Sequence, residues 1–125
     1  MSFPDRAREA ASHMLRHAAG PAPSFRLRHF RVAAAGRRST RVPVGDPVDV
    51  HGLLADAETV GRMGLPHGNL HIQLDPAAVD PEALAEGHVT LQRLPDGIEL
   101  DVDKVRQMGV HVFAEVPTGA GGGSR

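Results

Sequence analysis

Aromatic side chains are scarce in this chain of 125 residues, and their scarcity limits the core that it can build. The sequence contains neither Trp nor Tyr, so the only aromatic rings are those of Phe3, Phe25, Phe30 and Phe113. Valine, leucine and alanine must therefore supply most of the packing, and each of these side chains buries less area than an aromatic ring. The length suits one domain. We expect oligomerisation to add to the stability of so modest a core.

The sequence lacks cysteine, which excludes disulfides, thiolate nucleophiles and cysteine-ligated metal sites. No segment approaches the roughly 20 apolar residues of a membrane span. Charged residues are spread through positions 1–20, where a signal peptide would have an apolar core. We therefore expect a cytoplasmic protein that does not bind membranes.

The first half of the sequence predicts a helix followed by a hairpin. Residues 4–19 place apolar side chains at helical spacing, with acids near the start and bases near the end. Residues 25–34 alternate as in a strand, but the phase slips at His29, where a bulge would restore one apolar face. A turn at 36–39 leads to a return strand over 40–44, which its proline confines to a sheet edge.

Helical spacing then recurs from Val50 to Met63 and predicts one helix or two short ones, with Asp56 capping the second. The second half predicts strands over 70–74, 88–94, 98–102 and 110–116, with short helices over 81–86 and 103–108. This order of elements is ferredoxin-like. The chain is thus predicted to be α+β: an N-terminal helix and a mostly antiparallel sheet with short helices. We expect one domain over 1–117 and a flexible Gly-rich tail over 118–125.

Charge is divided unevenly along the chain. Residues 1–44 hold nine Arg and two acids, a net charge of +7, whereas residues 45–125 have a net charge of −8. The opposite charges could complement each other within one molecule, or the basic hairpin of one copy could meet the acidic face of another. A third hypothesis is nucleic-acid binding through the Arg-rich hairpin, residues 26–41. The lack of Tyr and Trp for base stacking weighs against it. The basic strip comprises Arg26, Arg28, Arg31, Arg37, Arg38 and Arg41.

Histidines offer two candidate sites. His13 and His17 are four residues apart on the predicted first helix, a spacing that suits metal ligands on one face. His71, His88 and His111 fall on the polar faces of predicted strands and would converge if those strands were neighbours. The alternative is a solvated sheet face.

Four well-known motifs are absent from the sequence: the phosphate-binding loop, the dinucleotide fingerprint, HExxH and the nucleophile elbow. Glu99 and Asp101 share a strand face, an arrangement typical of a carboxylate pair but also of an exposed hairpin. We therefore favour a non-catalytic interaction or assembly module, with no cofactor. It would self-associate through its basic (1–44) and acidic (45–117) surfaces and weaken as salt rises. The alternatives are a nucleic-acid-binding protein and a small histidine-based enzyme or metal-binding protein.

Overall fold

The longest strand of the computed structural model is Phe25–Ala35 (β1). Phe25 and Leu27 alternate with arginines, so the strand has one buried face where it crosses the core. The structure describes residues 3–36 and 38–118.

Three helices and eight further strands complete the elements found in those residues. The helices are α1 (Phe3–Ala19), α2 (Ala57–Met63) and α3 (Pro81–Leu84). The strands are β2 (Arg38–Pro43), β3 (Val48–Val50), β4 (Gly52–Leu54), β5 (Leu70–Leu74), β6 (His88–Arg93), β7 (Glu99–Val102), β8 (Lys104–Met108) and β9 (His111–Val116). The chain is a small α+β domain with an N-terminal helix and antiparallel sheets, as the sequence predicted. None of the described helices has the length and apolar character needed to cross a membrane.

The strands form two antiparallel sheets. The first sheet has the order β2-β1-β6-β7, and β3 also pairs with β1. The second sheet has the order β4-β5-β9-β8. The chain passes from one sheet to the other at His51, between β3 and β4, and again at Asp103, between β7 and β8. At these corners the backbone stays hydrogen-bonded: Asp75 N–H donates to the His51 carbonyl (3.1 Å), and Asp103 N–H donates to that of Glu115 (2.8 Å). The two sheets therefore enclose one core.

The core consists of the alternate side chains that the two sheets point at each other, together with Leu84 of α3. Among the side chains that the structure describes, Phe25 is its only aromatic member, so aliphatic packing dominates, as the composition predicted. The buried members are Phe25, Leu27, Val50, Ile72, Leu74, Leu84, Val89, Leu91, Val102, Ala114 and Val116.

A second, smaller cluster covers the outer face of the β4-β5-β9-β8 sheet. Val60 of α2 and the following Leu65 pack on Phe113 of β9. The predicted cap is present, because the Asp56 side chain accepts a hydrogen bond from Thr59 N–H (2.8 Å). Gly64 ends the helix with a positive φ of 70°, a conformation that glycine adopts without strain.

Two segments predicted as helical are strands. The first part of Val50–Met63 forms β4, and only its second part forms α2. Of the residues 103–108 that were predicted as a helix, Lys104–Met108 form β8, because pairing with β9 outweighs the weak local preference of so short a segment. The second half is also not ferredoxin-like, since β6 and β7 lie in one sheet and β5, β8 and β9 in the other.

Gly52 explains why β4 can turn the corner beside the core. A Cβ atom on Gly52 would lie 2.7 Å from Cδ2 of the Phe25 ring, closer than real Cβ atoms come. Gly52→Ala should therefore lower the free energy of unfolding by about 1–3 kcal/mol through overpacking. The matched control is Gly61→Ala in α2, where nothing lies within 4 Å and the change should raise stability by about 0.5–1 kcal/mol. Chemical denaturation of the two variants measures both effects, and equal effects would contradict this description of the corner.

Candidate interaction surface

One part of the β1–β2 hairpin extends beyond the rest of its sheet. β6 pairs with β1 only from Phe25 to Phe30, whereas β2 pairs with β1 from Phe30 to Ala35. Past Phe30, β1 therefore has β2 as its only strand neighbour among the described residues. We call residues 31–42 the β1–β2 arm. Its five residue pairs make it roughly 15 Å long at about 3.4 Å per residue.

The arm has little core of its own. The Val32 side chain is 58% exposed, which is unusual for a valine within a strand. Arg31 and Ala34 are exposed on β1, as are Arg38 and Thr40 on β2. A two-stranded ribbon without a packed face is only marginally stable in water. The arm is therefore the part of the sheet that gains most from an added partner.

The outer edge of β2 has unused backbone groups. Val44 N–H donates to the His29 carbonyl (2.8 Å), and the register of β1 and β2 sets these residues opposite each other. Hydrogen-bonded pairs alternate along an antiparallel ladder, so Val42 and Thr40 also bond to β1. The backbone groups of the residues between them, Ser39 and Arg41, must then point away from β1. No strand in the described part of the chain lies on that side.

The opposite edge of the arm is open as well. Leu94 N–H donates to the Ser24 carbonyl (3.0 Å), which places the even-numbered residues of β1 towards β6. Because β6 pairing stops at Phe30, the backbone groups of Val32 and Ala34 have no strand beside them within the described residues. Open edges of this kind are the usual template for pairing with another chain.

The predicted bulge at His29 does not form, and this divides the basic strip between two faces. β1 pairs without interruption from Phe25 to Phe30 on one side and from Phe30 to Ala35 on the other. Arg31 therefore lies on the opposite face from Arg26 and Arg28.

The register assigns the arginines of β2 in the same way. Arg41 lies opposite Val32 and so shares the face of Arg28, whereas Arg38 lies opposite Ala35 and shares the face of Arg31. Arg37 is outside the described residues.

Several arginines of the basic half are paired with acids of the acidic half of the same molecule. Arg26 Nε lies 2.9 Å from Asp49 Oδ1, and this hydrogen bond holds the pKa of Asp49 below its ordinary value. Arg41 lies 3.8 Å from Asp101. Arg16 makes a further pair with Asp75, and Arg31 and Arg38 have no ion-pair partner among the described residues.

The structure does not bring His71, His88 and His111 together. His71 is buried (1% exposed) on the outer face of the β4-β5-β9-β8 sheet. His111 is on the same face but about 13 Å further along it, since it lies four residues from Glu115, the partner of His71. His88 is on the other sheet, where its Nε2 lies 3.1 Å from Asp101.

Two further candidate groups from the sequence are the histidines of the first helix, His13 and His17, and the carboxylates of Glu99 and Asp101. His13, His17 and His51 line one open depression of about 390 Å³. Nowhere in residues 3–36 and 38–118 are three or more His, Asp or Glu side chains grouped so as to hold a metal ion. The carboxylate of Glu99 accepts a hydrogen bond from Thr90 Oγ1 (2.8 Å), and that of Asp101 contacts His88 and Arg41.

A buried polar cluster that the sequence did not reveal lies beside His71. Glu115 is 5% exposed, and its carboxylate accepts hydrogen bonds from Asn69 and from Arg106 (NH2 to Oε1, 2.9 Å). His71 Nε2 lies 2.7 Å from the Pro66 carbonyl oxygen. Burial raises the pKa of Glu115, but the hydrogen bonds from Asn69 and Arg106 outweigh burial and leave it below its ordinary value. Glu115 lies in the strand predicted over 110–116, but the strand order was needed to identify its partners.

This cluster predicts how stability depends on pH. A carboxylate whose pKa is lowered by folding stabilises the folded state above its unfolded-state pKa, and that contribution is lost as the pH falls. Glu115→Gln should lower the free energy of unfolding by about 1–3 kcal/mol at neutral pH, and the difference from the parent should shrink in acid. Urea denaturation of the parent and the variant, from neutral pH into acid, measures this difference in the free energy of unfolding. Glu86→Gln, at an exposed position, is the control, and a difference that stays constant with pH would contradict the assignment.

No protein-family model matches the chain, and neither the curated proteins nor the solved structures contain a match.

Proposed function

We propose that this protein is a non-catalytic interaction module that self-associates through the β1–β2 arm. The observation that carries the proposal is the open outer edge of β2, where the backbone groups of Ser39 and Arg41 point away from β1. Adding a strand to such an edge is a common mode of recognition, because the main chain itself supplies the hydrogen bonds.

A second copy of the chain suits this edge for two reasons. Two arms side by side would form a four-stranded ribbon, and additional strands stabilise a marginal two-stranded one. The arm also carries exposed apolar surface at Val32, which lies directly opposite Arg41 of β2. The aliphatic core adds a further reason, because association supplements the stability of a modest core.

The ion pairs within the chain change the salt dependence that we expect. Arg26 and Arg41 already contact acids of the same molecule, so the proposal rests on the open edge more than on attraction between basic and acidic halves. Pairing two arms brings arginines of both copies near each other, and salt screens that repulsion. Self-association through the arms should therefore strengthen as the salt concentration rises. Self-association through contact between the basic and acidic surfaces would instead weaken as the salt concentration rises.

A shortened arm tests this function. Replacing residues 32–41 by Asn-Gly leaves Arg31 opposite Val42 as the closing hydrogen-bonded pair, and Asn-Gly favours the tight turn of a two-residue hairpin. We expect this variant to keep its far-ultraviolet circular dichroism and to elute as a monomer, while the parent forms an oligomer at high protein concentration. Light scattering coupled to size-exclusion chromatography measures the mass of the variant and of the parent, and circular dichroism checks that the variant is folded.

The matched control is Arg41→Gln, which also loses the contact with Asp101 but keeps the full arm. It should associate at least as tightly as the parent, because it also removes one of the arginines that repel each other across the paired arms. A parent that stays monomeric at every concentration and salt level would overturn the proposal. Because the chain lacks Trp and Tyr, a salt-sensitive peak with strong absorbance at 260 nm would point to nucleic acid on the arm instead.

A further inference from the structure

We propose that two copies pair their β2 strands antiparallel about a two-fold axis at Thr40. This inference rests on the proposed self-association and specifies its partner edge and register. Its starting point is the hydrogen bond from Val44 N–H to the His29 carbonyl, which determines which backbone groups of β2 are unused.

The hydrogen-bonding pattern restricts the registers that are open to a symmetric pair. Only residues whose backbone groups point outwards can form hydrogen-bonded pairs across the new interface. On β2 these are the odd-numbered residues Ser39, Arg41 and Pro43. Pro43 has no N–H to donate, so a complete hydrogen-bonded pair joins Ser39 or Arg41 of one copy to Ser39 or Arg41 of the other. The two-fold axis therefore passes through Ser39, Thr40 or Arg41.

Two of these three registers have a clear disadvantage. An axis at Arg41 sets that arginine directly opposite its own copy, and like charges directly opposite each other destabilise a sheet. It also requires Pro43 to take part in pairing, although proline has no N–H to donate. An axis at Ser39 pairs only Arg38, Ser39 and Thr40 within the strand before the ladder runs past the end of β2.

The axis at Thr40 avoids these disadvantages. It pairs five residues of each strand, 38–42, and leaves Pro43 outside this set. Ser39 of each copy then lies opposite Arg41 of the other, and these two pairs supply four backbone hydrogen bonds. Arg38 lies opposite Val42 of the partner copy, so no arginine directly faces another across residues 38–42.

Thr40 itself suits the position on the axis. Threonine pairs directly across antiparallel strands are favourable, and a non-hydrogen-bonded pair brings its side chains closest. Thr40 is exposed, and its hydroxyl donates to the Ala33 carbonyl of its own arm (3.4 Å). The two paired arms would join the β2-β1-β6-β7 sheets of the two copies into one continuous antiparallel sheet.

Disulfide trapping tests the register, and the absence of native cysteine makes each introduced thiol unique. In Thr40→Cys the two cysteines would have Cα atoms about 4.5 Å apart, within the range that a disulfide spans. In the control Arg38→Cys, on the same face, the two Cα atoms would be about 13 Å apart and too distant. We expect Thr40→Cys to form a disulfide-linked dimer at least about tenfold faster than Arg38→Cys in a glutathione redox buffer.

A second trap covers the case in which Thr40→Cys disturbs the arm. An equimolar mixture of Arg38→Cys and Val42→Cys should form mixed disulfide dimers, while neither variant alone should do so. If the parent is an oligomer by light scattering but neither trap exceeds the Arg38→Cys control, the register is wrong and the proposed self-association stands. If the parent and the reduced variants are all monomeric, both proposals fail.

Discussion

The unequal lengths of β1 and β6 determine the surface that this protein presents. β1 continues five residues past Phe30, the last of its residues that pairs with β6, and in the described part of the chain only β2 accompanies it there. Buried backbone N–H and C=O groups are almost always paired, so unpaired ones have to lie where water or another chain can reach them. The open edges of the β1–β2 arm are thus a direct consequence of where β6 ends.

The two sheets are joined to each other at two corners. Single residues at the corners, His51 and Asp103, carry the chain from one sheet to the other, and backbone hydrogen bonds continue there. Some charges on the surface are paired within the molecule, as between Arg26 and Asp49.

The sequence predicted an element well where one local signal dominated, and poorly where pairing with a distant strand determined the conformation of the segment. Strict alternation identified β5, and the Pro-Asp-Gly turn identified the hairpin of β6 and β7. The residues of β4 and β8 have mixed periodicity, and their pairing with β5 and β9 decides their conformation. The arginines of the arm were recognised as notable, but their division between two faces depended on whether a bulge formed at His29. The open edge itself could not be predicted, because it depends on which strands become neighbours.

Amide hydrogen exchange, followed residue by residue at low and high protein concentration, tests the central claim most directly. The amides of Thr40 and Val42 bond to β1 within one molecule, so they provide an internal reference. The account predicts that the amides of Ser39 and Arg41 exchange fast in dilute solution and gain protection as the concentration rises. Exchange at Ser39 and Arg41 that does not change with concentration would contradict it.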